Sequence, residues 1–527
     1  MIGKFTKRSL PDLMLIDKYG HEKEINLQKK SQEKKSATSI YWIRQDLRLR
    51  DNPALQAATK ASESMIAVYV WAPDEESPWQ PGSASKVWLH QSLQSLIAEY
   101  QRHDTTVLIF KAGKGSTYES TLQVLDYLQA KTNADSIYWN RCYEPKIVER
   151  DKKIKAHFKE KGLEVESFKA NLLFEPWEIR TKEDKPFQVF TPYWKNCLNH
   201  LDLEPPLRTP SHFPPLPANL ADKKIPGSCT IDELDLLPHI KWDTGIREAW
   251  TPGEAGAHKQ LKKFLNATVG DYAEARNFPA IQGVSRMSPH LHFGEISPRQ
   301  IYNAVQQLDS SSKEHRHSHQ VYLKELGWRE FSHHLIFNFP TTDLHPLRKE
   351  FEHFPWQKSQ KLMHAWQKGL TGYPIVDAGM RELWHTGIMH NRVRMIVASF
   401  LVKDLLLSWQ AGAKWFWDTL VDADLAQNTM GWQWSAGCGA DAAPYFRVFN
   451  PTLQGQKFDP QGEYVRQWVP ELAKLSTKWI HEPWKAPAEA LTASGIKLGS
   501  DYPLPIVDHS EARGLALQAF QHLKQYR

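Results

Sequence analysis

Cysteine is scarce in this chain: four residues in 527, at positions 142, 197, 229 and 438. They lie far apart and form no Cys-x-x-Cys pair. That spacing excludes a zinc or cluster centre and a disulfide framework, and it fits a reducing, cytoplasmic setting. No apolar run approaches the roughly 20 residues a membrane helix requires, so a membrane-spanning class is excluded. A surplus of acid is missing too. Lysine and arginine outnumber aspartate and glutamate by 66 to 60, for a net charge of +6. A mildly basic chain permits nucleic-acid binding without demanding it. Residues 1–38 contain acids and lack a continuous signal-peptide core, and they read as a polar N-terminal extension.

Tryptophan, by contrast, is abundant, with 21 residues. Such a number fits either stacking surfaces with a purpose or a Trp-rich helical core. The length suggests two to four domains.

From Ser39 the pattern alternates strand and helix. Ile40–Ile43, Met65–Trp71, Thr106–Phe110, Ser136–Trp139 and a weaker Leu163–Phe168 are short β-rich runs. Between them lie amphipathic stretches, the clearest being Ser85–Tyr100. This predicts an α/β fold for 39–169, with a doubly wound, five-stranded parallel sheet. Ligands of such sheets sit beyond the strands' C-terminal ends, here near Arg44–Asp51 and Asn140–Glu144. Residues 170–253 are irregular and proline-rich and read as a long connector. Helical patterns fill 254–505, and 506–527 reads as a short tail. Two helices are announced by the pairs Ser288-Pro289 and Ser297-Pro298, since serine caps and proline suits a first turn.

The stretch from Gly372 to Pro451 organises the rest. In its second helix Val393, Ile396, Val397, Phe400, Leu401 and Leu405 recur at helical spacing and predict a core face. Asn391, Arg394 and Met395 share another face, which either lines a cavity or meets solvent. After it come Asp422-Ala423-Asp424, Trp432-Gln433-Trp434 and Asp441-Ala-Ala-Pro-Tyr-Phe-Arg447.

Those motifs closely resemble the DNA photolyase/cryptochrome family, and within it the cyclobutane-pyrimidine-dimer photolyases. The likeness extends from about Ser39 to Pro505. It implies an all-helical domain that binds FAD and, in the reduced flavin's excited state, repairs pyrimidine dimers in UV-damaged DNA by electron transfer to a flipped-out lesion. For the flavin, the resemblance implies contacts from Tyr272, Ser285, Arg286, Met287, Ser288 and Tyr322. It adds Arg394, Asp422, Ala423, Asp424 and Asn428, the last facing the reactive ring. Val284, Tyr322 and Ala423 depart from the family's usual threonine, tryptophan and glycine. For the lesion, it implies Glu325, Trp328, Asn391, Met395 and Trp434, with the two indoles sandwiching the dimer. Arg276, Arg392 and Arg447 would hold DNA phosphates, and Trp432, Trp409 and Trp356 would form an electron relay.

An antenna of 5,10-methenyltetrahydrofolate is the expectation, with a deazaflavin or an empty site as alternatives. The asparagine-glutamate pair that holds folate in some relatives falls on Lys146 and Ile147; another branch holds it differently, leaving Glu144 or Glu149 to serve. The expected protein is a cytoplasmic monomer. Two other family functions stay open: a cryptochrome-like light sensor without repair, and repair of the (6–4) photoproduct, whose enzymes carry extra histidines near Asn391.

Overall fold

Alternation along the first strand builds the sheet. Ile40 and Trp42 point to one face, Tyr41 and Ile43 to the other, and all four are buried. In this computed structural model, residues 36–221, 225–309, 312–442, 444–445 and 447–526 are described. The expectation for 1–38 therefore lies almost wholly outside the described residues.

The strands are β1 (Ser36–Ile43), β2 (Ser62–Trp71), β3 (Val107–Lys111), β4 (Ser136–Asn140) and β5 (Glu164–Phe168). They are all parallel, in the order β3-β2-β1-β4-β5. The order reverses between β1 and β4, as a doubly wound sheet requires. Helices α1 (Pro53–Ala61) and α2 (Ser83–Gln101) cover one face; α3 (Thr121–Thr132) and α4 (Pro145–Glu160) cover the other.

At the switch point the polar groups satisfy one another. Asn140 Nδ2 donates to Asn52 Oδ1 (2.7 Å), Asn52 Nδ2 to the Tyr41 hydroxyl (2.7 Å), and that hydroxyl to Asp46 Oδ2 (2.6 Å). Buried polar groups settled in this way leave little to offer a ligand.

The connector is less irregular than its prolines suggest. It contains α5 (Phe190–Asn199), whose Phe190, Tyr193, Trp194 and Cys197 are buried against the helical half. The main helices of that half are α6 (Glu254–Ala267), α7 (Ser288–His292), α8 (Pro298–Gln306) and α9 (Lys313–Asn338). They continue with α10 (Gln360–Gln367), α11 (Pro374–Thr386), α12 (Asn391–Ser399), α13 (Trp409–Thr419) and α14 (Leu425–Ala436). The segment expected to be a tail instead forms α15 (His509–His522), with Ala516 and the following Leu523 in the main core.

One of the two Ser-Pro starts is a true cap. Ser297 and Gln300 form a capping box on α8. Ser288 is not a cap: it is the first residue of α7, and its hydroxyl is spent elsewhere.

Candidate active site

The helical half encloses a cavity of about 950 Å3, at the upper end of the range for a single-ligand site. The predicted core face of α12 is buried, so its opposite side, with Asn391, Arg394 and Met395, lines the cavity. Asn391, at the start of the helix, also meets solvent.

On one wall the acidic loop is held from two sides. Arg394 Nη2 donates to Asp422 Oδ1 (3.0 Å) and Oδ2 (2.8 Å), and Ser288 Oγ donates to Asp422 Oδ2 (2.6 Å). Asp424 caps α14 by accepting the Gln427 N–H (2.9 Å). Burial alone would raise the Asp424 carboxyl, but His333 beside it, with His292 and Arg329, holds it well below the usual carboxylate range. Asn428 donates one amide N–H to the Ala413 carbonyl (3.0 Å), which fixes its plane. Tyr272, Ser285, Arg286, Met287, Tyr322 and Ala423 also line the cavity. Arg286 has a left-handed backbone (φ 56°) and lies over the Trp250 ring at 4.0 Å.

Glu325 and Trp328 from α9 and Trp434 from α14 also line the cavity. Both tryptophans are half-buried and neither is sealed in packed interior. Sequence reasoning gave Glu325 to the lesion and Arg276 to DNA phosphate; the structure joins them in an ion pair, with Arg276 over the Tyr272 ring at 5.4 Å. Arg276 thus has its charge balanced by Glu325, because both side chains reach the same rim.

Arg392 and Arg447 do not line the cavity. Arg392 donates to Asn277 Oδ1 (2.5 Å) and stacks over Phe458 at 4.4 Å. Arg447 is exposed, and its carbonyl accepts Lys403 Nζ (2.8 Å).

Sequence reasoning missed His292 and Glu382 as cavity-side groups and His333 as a buried neighbour of Asp424, and it saw His390 only as a flank. His292 and His333 sit 3.7 and 3.4 Å from Asp424. His390 caps α12 by accepting the Arg392 N–H (3.2 Å) on Nδ1. Burial, then Arg392, Arg394 and Arg276, push its imidazole down to about 4, so it is neutral near pH 7. A histidine flanking a motif carries no sequence signal of this kind, because the signal is the charge around it.

Two family models match: "DNA photolyase" over residues 39–215 and "FAD binding domain of DNA photolyase" over 322–522. A deoxyribodipyrimidine photo-lyase of Agrobacterium fabrum is 44% identical over 494 residues, covering 93% of this chain and 99% of the relative. The chain belongs to the DNA photolyase family. Cryptochrome-2 of Arabidopsis thaliana is 41% identical, covering 92% of this chain and 79% of that protein. The crystal structure of a class III photolyase from Agrobacterium tumefaciens superposes with a TM-score of 0.86 at 42% identity, covering 94% of this chain and all of the other.

The matched helical domain is FAD-binding, and the residues that line the cavity fit that cofactor. They provide an arginine-carboxylate pair, serine hydroxyls and an amide around an apolar slot, the mix that dinucleotide sites use. Trp432, which borders the cavity, is 2% exposed, and its ring meets Phe416 at 5.0 Å and Trp366 at 6.2 Å. Gly412 makes room for it: a Cβ there would fall 2.1 Å from the indole. Trp409 is buried at the start of α13. Trp356 is half-buried on Phe354 at 4.2 Å, beside the Leu406 backbone that accepts the Gln357 N–H.

The antenna residues fare differently. Glu144 accepts its neighbour Tyr143's N–H (2.9 Å), Ile147 is buried, and Glu149 pairs with Lys153 (2.8 Å) and Lys146 (3.8 Å) on the surface of α4.

Proposed function

We propose that this chain is a light-driven repair enzyme for cyclobutane pyrimidine dimers in DNA, acting as a cytoplasmic monomer. The observation that supports the reading is that Trp328, Trp434 and Glu325 line one cavity with both indoles only half-buried. Stacking on two indoles supplies about 1–3 kcal/mol per base, against the few kcal/mol needed to extrude a weakly paired dimer. Glu325 accepts hydrogen bonds from the base edges, and Asn391 and Met395 shape the floor. Arg392 and the exposed Arg447 bind phosphates by charge, which adds affinity and salt dependence but no sequence choice, and Arg276 joins them where a phosphate displaces Glu325 from its guanidinium.

FAD, once reduced and excited by light, supplies the electron that opens the cyclobutane ring. The chain's own part is to hold Asp422, Arg394 and Asn428 around the flavin, keep water out, and present the lesion. Trp432, Trp409 and Trp356 serve as the route by which electrons reach the flavin from outside. A methenyltetrahydrofolate antenna on the α/β half completes the reading. A folate-like pigment released with FAD from purified protein supports that part, and FAD alone argues against it.

Repair of the (6–4) photoproduct is disfavoured by His390, whose Nδ1 is engaged as a cap and whose imidazole is neutral. A sensor without repair is the reading the Arabidopsis relative supports. Reduced holoprotein illuminated with oligonucleotides carrying each lesion separately decides among the three. Restoration of intact thymines from the cyclobutane dimer alone is expected, and repair of neither lesion favours the sensor.

A further inference from the structure

Helix α5 belongs to the connector by sequence, yet it touches at two points the segments that carry Trp328 and Trp434. Phe190, its first residue, is 1% exposed, and its ring lies flat on the Trp328 indole, with centroids 3.6 Å apart and planes within 11°. One face of Trp328 is therefore covered by the connector. Phe331 closes the same cluster edge-on, 5.8 Å from Phe190 and 6.1 Å from Trp328. One turn along α5, Trp194 packs on Gly327, where a Cβ would lie 2.6 Å from the indole. The helix thus rides directly on the backbone that carries Trp328.

The second point is polar. The Phe190 N–H donates to Asp441 Oδ2 at 3.2 Å. Asp441 lies in the loop that follows α14, the helix bearing Trp434, and it adopts a left-handed backbone with φ 46°. One residue of the connector thus touches both indole-bearing segments.

We propose that Phe190 is a positioning residue for the lesion pocket. It holds Trp328 face-on to the cavity and, through Asp441, sets the gap between Trp328 and Trp434. The inference rests on the repair reading above, because the gap matters only if a dimer enters it. An indole with one face free and the other stacked keeps a single orientation, and that preorganisation removes an ordering cost on binding. Connector residues far from the flavin then tune which lesions fit.

The test uses holoprotein in the dark, with Phe190→Leu, Phe190→Tyr, Trp328→Ala and the double variant Phe190→Leu/Trp328→Ala. Three readouts are taken: flavin per protein, the ratio of Kd for undamaged to dimer-containing oligonucleotide, and the hydroxyl-radical oxidation rate of Trp328 by mass spectrometry. Phe190→Leu is expected to keep its flavin, to oxidise several-fold faster at Trp328, and to lose about three- to tenfold in the Kd ratio, the range for one aromatic stack. Phe190→Tyr should restore most of that ratio. In the Trp328→Ala background the leucine change should cost nothing further, as expected for two residues acting through one contact.

Unchanged Trp328 oxidation overturns the proposal, as does an equal loss of the Kd ratio in the Trp328→Ala background. If the parent protein binds both oligonucleotides alike, the repair reading fails, while the oxidation rate still decides the role of Phe190. Should Phe190→Leu not fold, Asp441→Gly takes its place, since glycine accepts the same backbone angle without the carboxylate. A change in Trp328 oxidation or in the Kd ratio there supports the link, and no change in either overturns it.

Discussion

Asp422 shows how much one side chain fixes. It takes two contacts from Arg394 and one from Ser288 and so ties α12, α7 and the acidic loop around the cavity. Asp422→Asn keeps the shape and removes the charge, leaving Arg394 without its counter-ion in a half-buried position. Hydrogen bonds to charged groups contribute about 1.5–3 kcal/mol, so the variant should retain less FAD and unfold at lower temperature. Full flavin occupancy with an unchanged Tm would contradict this.

At the same scale, the sequence makes some residues legible and hides others. Asp422, Asp424, Trp432 and Trp434 stand in short motifs whose chemistry survives translation into text. The pairing of Arg276 with Glu325 joins positions 49 apart, and nothing in either segment announces it. The histidines around Asp424 are hidden for the same reason: α7 and α9 bring them together only in space.

Among the elements, periodicity is a good guide wherever burial is one-sided. All five strands and α2 lie within a few residues of their expected bounds, because alternation and helical spacing record a buried face. Proline misleads in the connector, where short helices such as α5 pack between turns. The last segment misleads by its polarity. His509 bonds Asp404 (2.5 Å), and Phe520 stacks on Tyr445 at 4.4 Å and 11°. Ending the chain after Pro505 would uncover that surface and is expected to cost at least about 3 kcal/mol, from the lost burial of Phe520 and Leu523. Thermal unfolding with FAD present measures it, and an unchanged Tm would return these residues to the status of a tail.

Glu330 fastens another pair of elements. Its Oε2 on α9 accepts the N–H groups of Leu173 (2.9 Å) and Phe174 (3.1 Å) in the connector. Burial pushes the carboxyl up from 4.5 to about 7, despite Arg329 and those two donors. Because the folded value is raised, its contribution to stability is full below about pH 4.5 and is lost as pH rises through about 7. Glu330→Gln is neutral throughout. Relative to the parent it should therefore gain up to about 3 kcal/mol between about pH 5 and pH 8. Denaturant unfolding at the two pH values would show parallel behaviour if the carboxylate were ordinary.

On the scale of the whole molecule, Arg48 is only 1% exposed. From the loop after β1, its guanidinium donates to the Asp51, Ala170 and Gly294 carbonyls and to Asn171 Oδ1. Asp51 nearby accepts from Ser297 and Arg299, and Trp88 Nε1 from α2 donates to Glu295 Oε1 (2.9 Å). A cation with every donor committed across two layers cannot be exposed cheaply. The halves have consequently become each other's solvent. A chimera that grafts a relative's α/β half onto these helices would need matching partners for this one guanidinium, so lineages of such chains would be expected to exchange whole molecules rather than halves.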